Sequence, residues 1–257
     1  MIPKQLVHKV FNYKMKIKNK RIIITGGTSG VGLEMVKQLY QDNRLIVLSK
    51  TQSKLDELAN TYKNVQIFSV DLSDISQVEQ FASDIREEYD QIDILINNAA
   101  IQSTPTFLSK DFDYQTIEKD ITTNFTSVCS LCSLLLPMLL NSQKATIMNV
   151  NSGLALAPKK TSAIYCATKA AMDVFSRSLS YQLEHTNITV RQAFLDLVDT
   201  PMTKGRGKNK MSAHTAAQLI IRGIEHDVIN HDLGKVKFLR AWVHIVPWLA
   251  RSLMKNH

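Results

Sequence analysis

One local pattern recurs along the 257-residue chain. A short aliphatic run is followed by a break, then by a stretch with apolar residues at helical spacing. Residues 21–25 read Arg-Ile-Ile-Ile-Thr and lead into glycines. Such a run, without polar alternation, is a strand buried on both faces. Residues 30–41 follow, with Val31, Met35, Val36 and Leu39 on one helical face. Residues 45–48 (Leu-Ile-Val-Leu) are a second buried strand. Further strands are expected near 65–70, 93–96, 145–150 and 188–193, with helices near 74–89, 112–136 and 162–184.

Strands that alternate with helices build parallel βαβ units. Right-handed crossovers then give a doubly wound sheet that binds ligands at the carboxyl ends of its strands. The expectation is one α/β, Rossmann-like domain with a mostly parallel sheet of six to seven strands, flanked by helices. No repeat or composition break divides it, so the domain is set at 18–257. Residues 1–17 are a basic extension, read as loosely packed or disordered. In the tail, 211–227 is helical and 228–238 holds a last short strand. Residues 238–254 mix Trp242 and Trp248 with Arg240 and Arg251. The favoured reading is a helix packed on the domain or on a partner subunit. A membrane-surface helix is the less favoured one. Pro247 kinks or starts a helix there.

After the first strand comes Thr25-Gly26-Gly27-Thr28-Ser29-Gly30-Val31-Gly32. Glycines between a strand and a helix let the backbone approach a ligand closely. The helix N-terminus beyond them offers free N–H groups that suit a pyrophosphate. The plain alternative is a tight turn without a ligand. The second strand ends Leu48-Ser49-Lys50-Thr51, where a ribose 2′-hydroxyl is usually held by an acid. None stands there, and hydroxyls with a lysine suit a 2′-phosphate. NADP(H) is therefore preferred, with NAD(H) as the alternative.

Tyr165 and Lys169 are four apart on an expected helix and share a face. Bringing a phenol from about 10 to about 7 takes roughly 4 kcal/mol, which a nearby ammonium supplies in part. Ser152 lies just past the strand at 145–150, where its hydroxyl can orient a carbonyl oxygen. Asn97 and Asn98 follow the strand at 93–96 in the same way. Asn124 falls inside the long helix at 112–136, where Asn has poor propensity and needs a reason. Each alone has a bland reading: a chance Tyr-x-x-x-Lys pair, or a solvent-facing Asn.

Composition narrows the partners. The formal charge is +8 with pI near 9.3, which favours anionic partners without choosing among them. No nucleic-acid motif is present, no apolar run spans a bilayer, and no metal site is expected. Three cysteines suit a reducing compartment, with the cytoplasm as the default. Cys129-x-x-Cys132 lies inside an apolar run and is read as packing rather than redox chemistry.

The ordered set resembles the short-chain dehydrogenase/reductase family over about residues 18–202. The matching pieces are Thr25-Gly26-x-x-x-Gly30-x-Gly32, Asp71, Asn97-Asn98-Ala99, Asn124, Ser152 and Tyr165-x-x-x-Lys169. The turn and Asn151-Ser152-Gly153-Leu154-Ala155 look like a bacterial subgroup, the DltE-like oxidoreductases. The resemblance implies hydride transfer between a nicotinamide and a carbonyl or alcohol carbon of a small molecule. Tyr165 would be the acid/base and Ser152 would hold the substrate oxygen. Lys169 would lower the Tyr165 pKa and bind the ribose. Asn124 would hold a relay water. Gly26, Thr28, Ser29, Gly30 and Gly32 would line the diphosphate, with Ser49 and Lys50 at the 2′ position. Asp71 and Leu72 would meet adenine, with Asn97 and Ala99 on the adenosine side. Val198 and Thr200 would meet the nicotinamide. A lid over 201–215 is implied, with basic content that suits an anionic substrate or a solvated loop. Pairing through the helices at 112–136 and 162–184 into a homodimer or homotetramer is implied too. One departure stands out. Leu195-Asp196 replaces the family's Pro-Gly, which puts a negative charge beside an anionic cofactor. It is the best argument for the alternative of a non-catalytic NADP(H)-binding sensor or scaffold.

Overall fold

The computed structural model describes residues 17–255. The first half runs β1 (Arg21–Thr25), α1 (Gly30–Leu39), β2 (Arg44–Ser49), α2 (Gln52–Thr61), β3 (Val65–Ser69), α3 (Ile75–Glu88) and β4 (Ile94–Asn97). Then come α4 (Gln115–Ile121), a π-helical turn (Thr122–Thr126), α5 (Ser127–Leu134), α6 (Leu136–Leu140), β5 (Ala145–Ser152) and α7 (Ala163–Gln182). The last part holds β6 (Ile188–Leu195), β7 (Val198–Asp199), β8 (Met211–Ser212), α8 (Ala213–Glu225), β9 (Asn230–Asp232), α9 (Val236–Ile245) and α10 (Pro247–Lys255).

Seven strands form one sheet in the order β3-β2-β1-β4-β5-β6-β9, with every neighbouring pair parallel. Helices cover both faces, which explains the unbroken aliphatic runs. Ile22 and Ile24 pack with Val36 of α1 and Ile220 of α8, whereas Ile23 packs with Phe81 of α3 and Leu131 of α5. Each such side chain contributes roughly 1.5–3 kcal/mol by burial. The order reverses between β1 and β4, so the crevice outside their carboxyl ends is the place for a ligand.

Several elements differ from the sequence expectation. The helix α2 was not expected, because only Leu55 and Leu58 on it are buried. The helix expected over 112–136 begins at Gln115 and is interrupted by the π turn, where the Ser127 N–H donates to the Thr122 carbonyl. Pro247 starts α10, the second of the two expected outcomes. The expected lid shrinks at its far end, because residues from Ala213 on belong to α8. A two-stranded pairing of β7 with β8 closes the lid's base. The basic extension expected over 1–17 lies outside the described residues, save Ile17, which is buried in the core.

Where α1 crosses β1 the backbones touch. A Cβ at Gly32 would run into the Gly26 carbonyl. Gly32→Ala is expected to lower unfolding stability by about 1–3 kcal/mol through overpacking. Urea denaturation would show this as a lower midpoint at unchanged slope.

Candidate active site

A cavity of about 810 Å³ opens at the carboxyl ends of the central strands. One end is a glycine turn. Gly26 sits at φ +68° and Gly30 at φ +53°, in the left-handed region that favours glycine. A Cβ on Gly26 would press on Ala99 at 3.0 Å. The Thr25 hydroxyl accepts from the N–H groups of Asn98 and Ala99 at 2.9 and 3.0 Å, and so ties the ends of β1 and β4 together. Asn98 donates back to the Thr25 carbonyl at 2.9 Å. The first turn of α1 carries no acidic residue, and Ser29 makes no side-chain cap. Its leading N–H groups therefore face the cavity uncompensated, with the positive end of the helix dipole behind them.

Ser49, Lys50, Thr51 and Lys54 line the far wall at the end of β2. The hydroxyls of Thr28 and Ser49 bond each other at 2.8 Å. No Asp or Glu stands at the end of β2. Asp71 and Leu72 close this end. Burial raises the Asp71 carboxyl, but bonds from Ser73 and the charges of Lys50 and Lys119 outweigh it and hold the group below its ordinary range.

The other end holds the chemistry. Ser152 ends β5, and its hydroxyl accepts from the Leu154 N–H at 3.2 Å. Tyr165 and Lys169 project from the first two turns of α7. The Lys169 ammonium is 2% exposed, donates to the Val150 carbonyl at 2.9 Å, and lies 5.7 Å from the Tyr165 ring centre. Burial pushes Lys169 down to about 8. Burial pushes the Tyr165 phenol up to about 12, against smaller lowering effects from Ser152 and Arg206. The pull of Lys169 expected from the sequence does not prevail in the protein alone, because desolvation dominates. The Tyr165 phenol therefore keeps its proton at neutral pH. Ser152, Tyr165 and Lys169 all line the cavity.

Other expected residues lie elsewhere. Asn124, in the π turn, is fully buried and absent from the cavity wall. Its side chain accepts from the Ile101 N–H and donates to the Ile101 carbonyl, both at 2.8 Å. Asn97 donates to Asn149 at 2.8 Å behind the sheet edge. Its neighbour Asn98 lines the cavity instead, since the pleat turns successive side chains to opposite faces. Gly32 packs against the turn without lining the cavity. Val198 and Thr200 do line it. The Asp196 carboxylate accepts from the Leu197 N–H at 2.8 Å and the Lys235 N–H at 3.3 Å. Asp196 also lines the cavity, but both of these bonds go to backbone N–H groups, one of them at the start of α9.

Sequence reasoning missed the rest of the wall. Lys159, Arg206 and the α9–α10 hairpin enclose the end beyond Tyr165. The basic lid content was visible in the sequence, but it does not say which residue turns inward. Arg206 does, donating to Gln102 at 2.7 Å and to the Met202 carbonyl. Lys210 bonds Asp199 and the Thr203 carbonyl instead. The Cys129 and Cys132 thiols are pushed up by burial to about 11 and about 12, which leaves them as unreactive packing groups. Among the described residues no helix is long and apolar enough to cross a membrane.

A parallel, doubly wound sheet with a glycine cradle and a Ser-Tyr-Lys cluster at its edge defines a dinucleotide-dependent oxidoreductase architecture. The model of the short chain dehydrogenase family matches residues 20–211, and this chain belongs to that family. It is 34% identical over 200 residues to the uncharacterized oxidoreductase DltE of Bacillus subtilis, covering 77% of this chain and 79% of that one. It is 30% identical over 222 residues to a fatty acyl-CoA reductase of Acinetobacter baylyi, covering 82% and 75%. A short chain dehydrogenase from Burkholderia cenocepacia, solved in complex with NADP, shares the fold at TM-score 0.83 and 19% identity, covering 95% of this chain and 100% of that one.

Proposed function

We propose that the protein is an NADP(H)-dependent oxidoreductase that reduces a carbonyl carbon, or oxidises the matching alcohol, with Tyr165 as acid/base. The observation that carries this is the convergence of Ser152, Tyr165 and Lys169 on one end of a cavity whose other end is a glycine-lined helix N-terminus. The residues fit a phosphorylated dinucleotide. Gly26 and Gly30 leave room at the turn, and the N–H groups at the start of α1 suit a diphosphate. Thr28, Ser49 and Lys50 suit a 2′-phosphate, with no acid at the end of β2 to repel it. The NADP in the solved relative of the same fold accords with this choice.

The bound nicotinamide supplies or accepts the hydride. The chain's own groups manage the oxygen. Ser152 donates a hydrogen bond to the substrate oxygen and orients it. Tyr165 gives its proton to that oxygen as negative charge develops there. Lys169 offers its ammonium to the phenolate left behind, and to the nicotinamide ribose. Asn124 acts as a positioning residue that pins the segment at Ile101 beside the cavity. Val198 and Thr200 hold the carboxamide side of the ring. Asp196 has a backbone partner at the start of α9, and the Ser152-Tyr165-Lys169 cluster beside it favours the catalytic reading over a non-catalytic sensor. Three free cysteines suit a reducing, cytoplasmic setting. Exposed Ile121 on α4, with Val174 and Tyr181 on α7, supports pairing of those helices in a homodimer or homotetramer.

Three outcomes test the reading. Tyr165→Phe is expected to abolish NADPH oxidation with every carbonyl while NADPH binding, followed by its fluorescence, survives. Lys50→Asp is expected to weaken NADPH binding about tenfold or more and to narrow the gap to NADH, read from the two KM values. In the reductive direction kcat/KM is expected to fall above about pH 8, as Lys169 loses its proton. Tyr165, near 12, contributes no limb there. A profile flat to pH 10 would remove Lys169 from its assigned role.

A further inference from the structure

The cavity does not end at Tyr165. Beyond it, the walls change character. The lid contributes Arg206 and the loop before α7 contributes Lys159. Arg206 bonds only neutral acceptors, the Gln102 side chain and the Met202 carbonyl. Among the described residues neither cation forms an ion pair. The α9–α10 hairpin lines the same cavity, with Val236 and Ala250 buried. At the mouth, Phe238, Trp242 and Leu253 line the cavity and are also 59%, 46% and 54% exposed. An apolar rim left open to water around a pocket marks a ligand surface.

We infer that the pocket takes an amphipathic carbonyl compound, with an anionic group held by Lys159 and Arg206 and an alkyl or acyl chain running over the α9–α10 hairpin. This rests on the oxidoreductase reading and names the substrate class for the same site. The charge argument is direct. Burial and the Arg206 charge both hold the Lys159 ammonium below its ordinary range. An anion between the two cations relieves the repulsion and replaces lost hydration with charge-assisted hydrogen bonds. The apolar argument is additive. Each methylene moved from water onto Leu239, Trp242 or Leu253 strengthens binding. The reaction balances as a two-electron reduction. The carbonyl carbon gains a hydride from NADPH and its oxygen gains the Tyr165 proton. A secondary alcohol and NADP leave, and Tyr165 is reprotonated from water.

The test uses 4-oxoalkanoates of about five to fourteen carbons and their methyl esters, with saturating NADPH. Expected is a kcat/KM that rises roughly threefold per methylene over the first several added. The acids are expected to exceed the esters about tenfold, as one charge-assisted contact allows. Arg206→Gln and Lys159→Gln each remove most of the acid–ester difference. Trp242→Ser flattens the chain-length slope. Turnover retained when the long acid is held in phosphatidylcholine vesicles supports the class with a bilayer source. Turnover lost there supports it with a dispersed source.

Binding gives a readout that needs no turnover. Trp248→Phe leaves Trp242 as the single tryptophan of the two in the chain. Its fluorescence is expected to report saturable binding of dodecanoate in the presence of NADP, weakened about tenfold by Arg206→Gln. Equal turnover of short and long chains, and of acids and esters, overturns the inference and leaves the oxidoreductase reading intact. Dodecanoate binding without turnover of any ketone supports the ligand class and counts against the reading. Neither binding nor turnover, in protein with unchanged circular dichroism, overturns both.

Discussion

The ammonium of Lys169 on the carbonyl of Val150 is the contact on which the site depends. Burying an ammonium costs several kcal/mol unless it is held and bonded. Here the strand end supplies the acceptor, and the helix α7 is fixed across the edge of β5. Tyr165, one turn earlier on the same face, then has no choice but to stand beside Ser152. Buried polar contacts lock the helix further along. Asn149 donates to the Ser176 hydroxyl at 2.8 Å, and Gln192 donates to the Asp173 carboxylate at 2.9 Å. Buried hydrogen bonds of this kind rigidify what they join. Rigid placement matters, because a proton donor misplaced by an ångström loses much of its effect.

The same desolvation that costs energy sets the chemistry. It raises Tyr165 and lowers Lys169, so burial favours the uncharged form of each group. A phenol kept neutral is suited to giving a proton to a carbonyl oxygen as it gains charge. A dinucleotide with a cationic nicotinamide, held beside Tyr165, would favour the phenolate and so suit the reverse direction. The π turn belongs to this design. It breaks the regular helix so that Asn124 reaches back to both backbone groups of Ile101, a satisfied arrangement for a fully buried amide.

Much of this was legible in the chain itself. Ile22, Ile23 and Ile24 carry the strand signal because both sheet faces are covered, and Gly26, Gly30 and Gly32 mark the turn because no other residue fits their backbone or their packing. Tyr165 and Lys169 are visible as a pair because helical spacing is a local property. Less legible was α2, whose two buried leucines give a weak periodic signal. Asn97 and Asn98 could not be told apart, since which of two adjacent residues faces the cavity depends on the strand's pleat and register.

The sequence alone therefore determined the doubly wound architecture, the family, and the residues that carry local spacing or backbone demands. Only the tertiary structure decided what encloses the substrate end. Lys159, Arg206 and the α9 pair Leu239 and Trp242 come from three separate parts of the chain. They meet because Asp196 bonds the start of α9 and the β7–β8 pairing sets where the lid begins and ends. Such contacts are long-range, and nothing in a local pattern encodes which face of a hairpin turns inward. Asp196 shows the same limit: the chain displayed a negative group at a place for anions, and only the fold supplied the Lys235 N–H that it bonds.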